Sequence, residues 1–146
     1  MNRFRAILVA AAIVIAVPAT AADNVRVVLK GYDPVAYFTE SKPTKGDPKY
    51  AYDWDEGRYH FASAKHRDMF AGDPEKYAPQ FGGYCTGSMS RGVRAEGDPE
   101  GWTIKGGKLY VFGAAKWKAV AESDPNYIPS RIDNAQKNWQ EKRRGS

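Results

Sequence analysis

Residues 50–63 read YAYDWDEGRYHFAS, and the alternation in this stretch decides the fold. Tyr50, Tyr52 and Trp54 alternate with Ala51, Asp53 and Asp55, and Tyr59 and Phe61 alternate with Arg58 and His60. A period of two describes strands with one buried face. A two-residue turn at Glu56-Gly57 predicts a hairpin in which Trp54 faces Tyr59 and Tyr52 faces Phe61. The other face then pairs Asp53 with His60 and Asp55 with Arg58, so rings share one side and opposite charges the other. A helix is predicted next, with Ser63 as N-cap, Met69 and Phe70 on its apolar side, and Gly72-Asp73-Pro74 as its stop.

Fifty residues further on, GWTIKGGKLYVFGAAKWKAVAESDPNYIP repeats the sense of this unit. Gly57 matches Gly107, Arg58 matches Lys108, Tyr77 matches Tyr127 and Pro79 matches Pro129, while Asp73-Pro74 and Asp124-Pro125 fall one residue out of step. Trp102 and Ile104 face Val111 and Leu109 across a Gly106-Gly107 turn, a strong hairpin signal. The helix after it, about residues 114–122, is expected to bury Trp117 and Val120. The reading is an α+β chain: two hairpin-plus-helix units, about 49–79 and 101–129, in a pseudo-repeat within one compact domain.

Other pieces surround the units. Residues 25–29 read as a short strand, and Asp33 caps a short helix begun by Pro34. Residues 80–97 are glycine-rich and read as irregular. Residues 130–142 read as a final helix with Ile132, Ala135 and Trp139 on one face. GDP recurs at 46–48, 72–74 and 97–99 and reads as turn punctuation.

The first residues carry a different signal. MNRFR is basic, residues 6–17 are apolar, and Ala19-Thr20-Ala21 is a small-x-small cleavage site. This predicts a signal peptide at 1–22, a mature domain at 23–146 and a periplasmic location. The apolar run is shorter than the ~20 residues of a membrane span, and no later stretch is long enough. Removing Arg3 and Arg5 takes Lys+Arg from 22 to 20 against 17 Asp+Glu, so net charge falls from +5 to +3. The excess lies in residues 137–144, a basic tail and not a nucleic-acid face.

Cys85 is the only cysteine, so no internal disulfide forms. Apart from Met1, both histidines, both methionines and this cysteine lie between His60 and Met89. Such donors suit copper(I) and zinc, although no spacing here is a paired-cysteine metal signature. Each also has a bland reading: His60 as a solvated partner of Asp53, His66 as a structural histidine matching Lys116, Met69 as core, Cys85 as a small buried hydrophobe. The repeat offers no copy of these residues, which places any site in the first half. No third residue orients a Cys–His pair, and CxxC and CxxCH are absent, so the chain reads as non-enzymatic.

GYDPVAYF at 31–38, YHFASAKHRDMFAGDPEKYAPQFGGYC at 59–85, GDPEGWTI at 97–104 and Asn138-Trp139 resemble the exported YHS domain proteins of bacteria. The resemblance spans nearly all of the mature chain. It implies kinship with small treble-clef heavy-metal domains and a role in metal binding or trafficking, often of copper. The metal-binding relatives carry a cysteine after Asp-Pro-Val and a Phe-Cys-Ser-x-x-Cys pair. Here those positions hold Ala36, Ala62 and His66, and Cys85 belongs to the GGYC of the exported branch. The leading expectation is copper held by Cys85, His66 and Met89, with a metal-handling or envelope protein as partner. A second expectation is a metal-free interaction or small-ligand module with a buried cysteine. A third is a thiol enzyme or a disulfide-linked dimer.

Overall fold

The structure, a computed structural model, describes residues 24–145, so the signal-peptide stretch lies outside the described residues. In chain order the elements are α1 (Pro34–Thr39), β1 (Asp47–Trp54), β2 (Gly57–Phe61), α2 (Ala64–Gly72), α3 (Pro74–Tyr77), α4 (Thr86–Met89), β3 (Asp98–Lys105), β4 (Lys108–Phe112), α5 (Lys116–Ser123) and α6 (Pro129–Arg144). Two antiparallel hairpins, β1-β2 and β3-β4, give the α+β architecture. No described helix is long and apolar enough to cross a membrane.

The first hairpin forms where expected, but its turn is Asp55-Glu56. Trp54 pairs with Gly57, Asp53 with Arg58, Tyr52 with Tyr59 and Ala51 with His60. Moving every pairing by two residues keeps Tyr52, Trp54, Tyr59 and Phe61 on one face, so the buried side is unchanged. Asp55 takes the left-handed conformation, φ 54°, which aspartate tolerates better than most residues. Gly57 is a strand residue: a Cβ there would lie 2.3 Å from Val28 Cγ2. Its missing side chain serves a close approach and not a turn. The charges re-pair accordingly. Arg58 donates to both carboxylate oxygens of Asp53, each at 2.7 Å, and Arg143 of α6 reaches Asp55 at 2.6 Å.

The second hairpin has its expected register, with Lys105 opposite Lys108, Ile104 opposite Leu109 and Trp102 opposite Val111. Each pair lies 51 residues after its counterpart in the first ladder, as Asp47–Phe61 and Asp98–Phe112 show. The spacing of the hairpins is therefore 51 and not 50, the two Asp-Pro pairs come into step, and the segments that precede the hairpins match at 52. The repeat is also longer than the hairpins. Val27 bridges Arg58 and Pro79 bridges Leu109, both in parallel. Tight turns at Val28–Gly31 and Gln80–Gly83 each hold three residues at positive φ, and Tyr32 and Tyr84 close them by donating to Leu29 O and Phe81 O. Asp33 N then donates to Thr44 O, and Cys85 N to Ala95 O, each at 2.8 Å. So residues 25–29 form a single bridge leading into a turn, not a strand, and residues 80–97 are the second copy of the segment around α1. Cys85 is the counterpart of Asp33 and Met89 of Tyr37. The expectation that the cysteine has no counterpart is corrected.

Two core clusters result. Phe61 and Phe70 anchor the first; Phe81, Met89, Phe112 and Tyr127 anchor the second. Strand β4 serves both, with Leu109 and Val111 in the first and Tyr110 and Phe112 in the second, which is why LYVF at 109–112 is a continuous apolar run. Helix α6 covers the second cluster with Ile132, Ala135 and Trp139, as its spacing predicts. Helix α5 departs from expectation: Trp117 and Val120 are 38% and 36% exposed, and Ala121 is its buried residue. Ala121 stands where α2 has Phe70, and it is the residue that faces the core.

The three GDP motifs separate. Asp47 and Asp98 each accept a backbone N–H two residues on, at 2.9 Å, and their glycines sit against backbone. A Cβ on Gly46 would lie 2.6 and 2.7 Å from the His60 carbonyl group, so Gly46→Ala is expected to cost about 1–3 kcal/mol. Gly72 ends α2 with nothing within 4 Å of a Cβ and no positive φ. Gly72→Ala is expected to add about 0.4–1 kcal/mol by restricting the unfolded chain. Urea melts of both variants check the contrast.

Candidate functional site: the cleft over Cys85

The first unit shows what the second has changed. Asp33 is fully buried. Its Oδ1 accepts from Val35 N at 2.8 Å and Ala36 N at 3.3 Å, capping α1 as the sequence predicts. Its Oδ2 accepts from Ala62 N at 2.8 Å and from His66 Nδ1 at 2.6 Å. Ser63, the predicted N-cap, receives His66 N at 3.1 Å and fixes the start of the helix that carries the imidazole. The His66 side chain is 12% exposed. In this corner of the first unit Val35 and Asp33 are fully buried and the imidazole is held against the carboxylate, while Ala62 contributes its backbone N–H and keeps its side chain exposed.

In the second unit the same four positions hold Cys85, Gly87, Gly113 and Trp117. Cys85 precedes α4 and accepts Met89 N at 2.9 Å through its carbonyl. Its thiol is free and the residue is 8% exposed. A cleft of about 260 Å³ opens over it, lined by the two glycines, Phe112, Trp117 and Tyr127, with Ser88, Arg91 and Arg131 at its polar side. A Cβ on Gly113 would lie 3.7 Å from Cys85 Sγ, and one on Gly87 would lie 3.9 Å from both Sγ and Arg91 Nη1. These are ordinary contact distances, and neither glycine has positive φ. Backbone geometry therefore does not require glycine at either position. What the two glycines provide is open space beside the sulfur.

The cleft wall is braced. Trp117 stacks on Tyr127 with ring centroids 6.2 Å apart and 24° between planes. Arg131 lies over the same Tyr127 ring, its guanidinium 4.0 Å from the centroid, and Nη1 donates to Tyr127 O at 2.7 Å. Burial pushes the Tyr127 phenol up, while the guanidinium groups of Arg131 and Arg91 act in the opposite sense. Thr86 Oγ1, next to Cys85, is enclosed and has no hydrogen-bond partner among the described residues.

The expected donors Cys85, His66 and Met89 occupy three different environments. Cys85 faces the cleft, His66 is held by Asp33 in the first unit, and Met89 is wholly enclosed in the second core cluster. Neither His66 nor Met89 lines the cleft. Among the described residues, no group of three or more His, Cys, Asp or Glu side chains is placed to hold a metal. The residues present do not fit the copper centre expected from these three donors. His60, read as a partner of Asp53, instead faces Arg58 and Lys45, and burial together with these cations lowers its pKa. Sequence reasoning named the sulfur but not the glycines or arginines around it. The signal for Gly87 lay in aligning 31–38 with 83–90, where Asp33 and Val35 are replaced by Cys85 and Gly87, and that for Gly113 in the hairpin alignment, where it replaces Ala62.

No family model, no curated protein and no solved structure matches the chain.

Proposed function

We propose that the protein is a non-enzymatic module of the periplasm that holds a small ligand in the cleft over Cys85. One observation carries this reading. At the positions where the first unit has the buried Val35 and the Asp33–His66 pair, the second unit has Gly87 and a thiol at the floor of a cleft, with Gly113 beside the sulfur where the first unit has Ala62. A concave site with aromatic walls and a few fixed polar groups is the usual form of a small-molecule pocket. Cys85 forms part of the floor and reports on occupancy.

The test is native mass spectrometry of protein taken gently from its own compartment, with Gly113→Leu and Cys85→Ser variants alongside. The expected result is a small organic molecule on the wild type that is lost from Gly113→Leu, whose added side chain occupies the cleft. Recovery of copper alone, lost from Cys85→Ser, would replace this reading with the soft-metal one.

A further inference from the structure

We infer that the ligand class of the Cys85 cleft is a compact organic anion: a carboxylate, sulfonate or phosphate group on a flat apolar body. The inference rests on the reading of the cleft as a ligand site and adds the charge and shape of what fills it. Two cations lie at the cleft, Arg91 and Arg131, and none of its lining residues is acidic. Neither arginine forms an ion pair with a carboxylate among the described residues, whereas Arg26, Arg58, Arg67 and Arg143 all do. The positive charge at this wall is therefore not neutralised within the fold.

The two guanidinium groups have different roles. Arg131 is held in place, since Nη1 is fixed by Tyr127 O and Ser130 Oγ and the plane rests on the Tyr127 ring. No hydrogen bond within the described residues uses its Nε or Nη2, and a planar fork already held in place can meet an oxyanion with little further ordering cost. Arg91 is exposed and follows α4. Its Nη1 reaches the same space above Gly87 as the sulfur does. Trp117, which also lines the cleft, presents an indole that is more than a third exposed although it is already stacked on Tyr127. That exposed ring suits the flat apolar part of a ligand whose anionic end meets the arginines. A cation is repelled by this wall. A neutral ligand leaves both guanidinium groups without a partner.

Alkylation of Cys85 by iodoacetate and by iodoacetamide reads the charge preference directly, because the two reagents differ little except in charge. In both, the thiolate displaces iodide from carbon. The measured quantity is the ratio of the two rates in native protein, referred to the same protein unfolded in urea. The native ratio is expected to favour the anion by on the order of tenfold. It should fall toward the unfolded value in Arg91→Gln and in high salt. In parallel, benzoate, benzenesulfonate and phenyl phosphate should protect the thiol from iodoacetamide at concentrations at which benzamide does not. A native ratio equal to the unfolded one, with benzamide protecting as well as benzoate, would overturn the anion assignment and leave the cleft as a ligand site. Failure of native Cys85 to react with either reagent would overturn the underlying reading, because the cleft would not then open onto the sulfur.

Discussion

Asp33→Ala is expected to lower the unfolding free energy by about 3–5 kcal/mol, because it removes a buried acceptor that serves several donors at once. The carboxylate receives four hydrogen bonds from three segments: Val35 N and Ala36 N at the start of α1, Ala62 N after β2, and His66 Nδ1 on α2. Alanine leaves three backbone N–H groups and an imidazole without their acceptor, two of them buried and two part-buried, and the buried ones carry the full desolvation cost. The loss of the cap on α1 accounts for about 1 kcal/mol of the total. Asp33→Asn should fall between the two, because an amide oxygen keeps the cap but its other end cannot accept from both Ala62 N and His66. His66→Ala should cost less than Asp33→Ala, since it removes one donor and leaves the other three satisfied. Urea unfolding of the three variants, compared at equal m-values, checks the order. A result in which His66→Ala costs as much as Asp33→Ala would show that the pair, and not the backbone donors, carries the corner.

Phe70→Ala is the second large effect, expected at about 3–5 kcal/mol. Phe70 has no exposed surface and is surrounded by four rings. The centroids of Tyr59, Phe61, Tyr52 and Trp54 lie 4.6, 5.1, 6.0 and 6.1 Å away. All four come from the hairpin, so this one side chain ties α2 to both strands. Deleting it removes the transfer energy of the ring, leaves a cavity that rigid aromatic neighbours cannot collapse into, and breaks several edge contacts worth about 0.5–1.5 kcal/mol each. Phe70→Leu should recover about half of the loss. The check is chemical unfolding together with the near-ultraviolet dichroism of the ring cluster, which should weaken in Phe70→Ala while the far-ultraviolet signal stays.

Much of this fold is legible from the residues. Strand alternation identifies both hairpins and their buried faces, Gly106-Gly107 sets the second turn, and Ser63 and Asp33 announce their helices. The misreadings share one physical source, the double use of glycine. Gly57 resembles a turn glycine because its neighbours are polar, yet it serves the approach of Val28. Taking it as the turn shifts the repeat from 51 to 50 and hides the correspondence of α1 with α4. That correspondence is hard to see from residue types, because GYDPVAY and GYCTGSM share only their first two residues. The candidate site was legible to the extent of Cys85. His66 and Met89 looked like its partners because they are near in sequence. A four-residue helix is enough to send Cys85 toward the cleft and Met89 into the core.

The replacement of Asp33 by Cys85 across the two units bears on how this chain can change. In the first unit that corner is needed to hold the fold together, so substitutions there are penalised before any effect on binding appears. In the second unit the same corner is freed from that duty: the thiol makes no cap hydrogen bond, and the glycines beside it accept a Cβ at ordinary distances. Variation around the cleft can therefore accumulate without approaching the stability threshold that constrains most positions. The two units thus divide the work: the corner around Asp33 is fixed by four hydrogen bonds, and the matching corner around Cys85 is not.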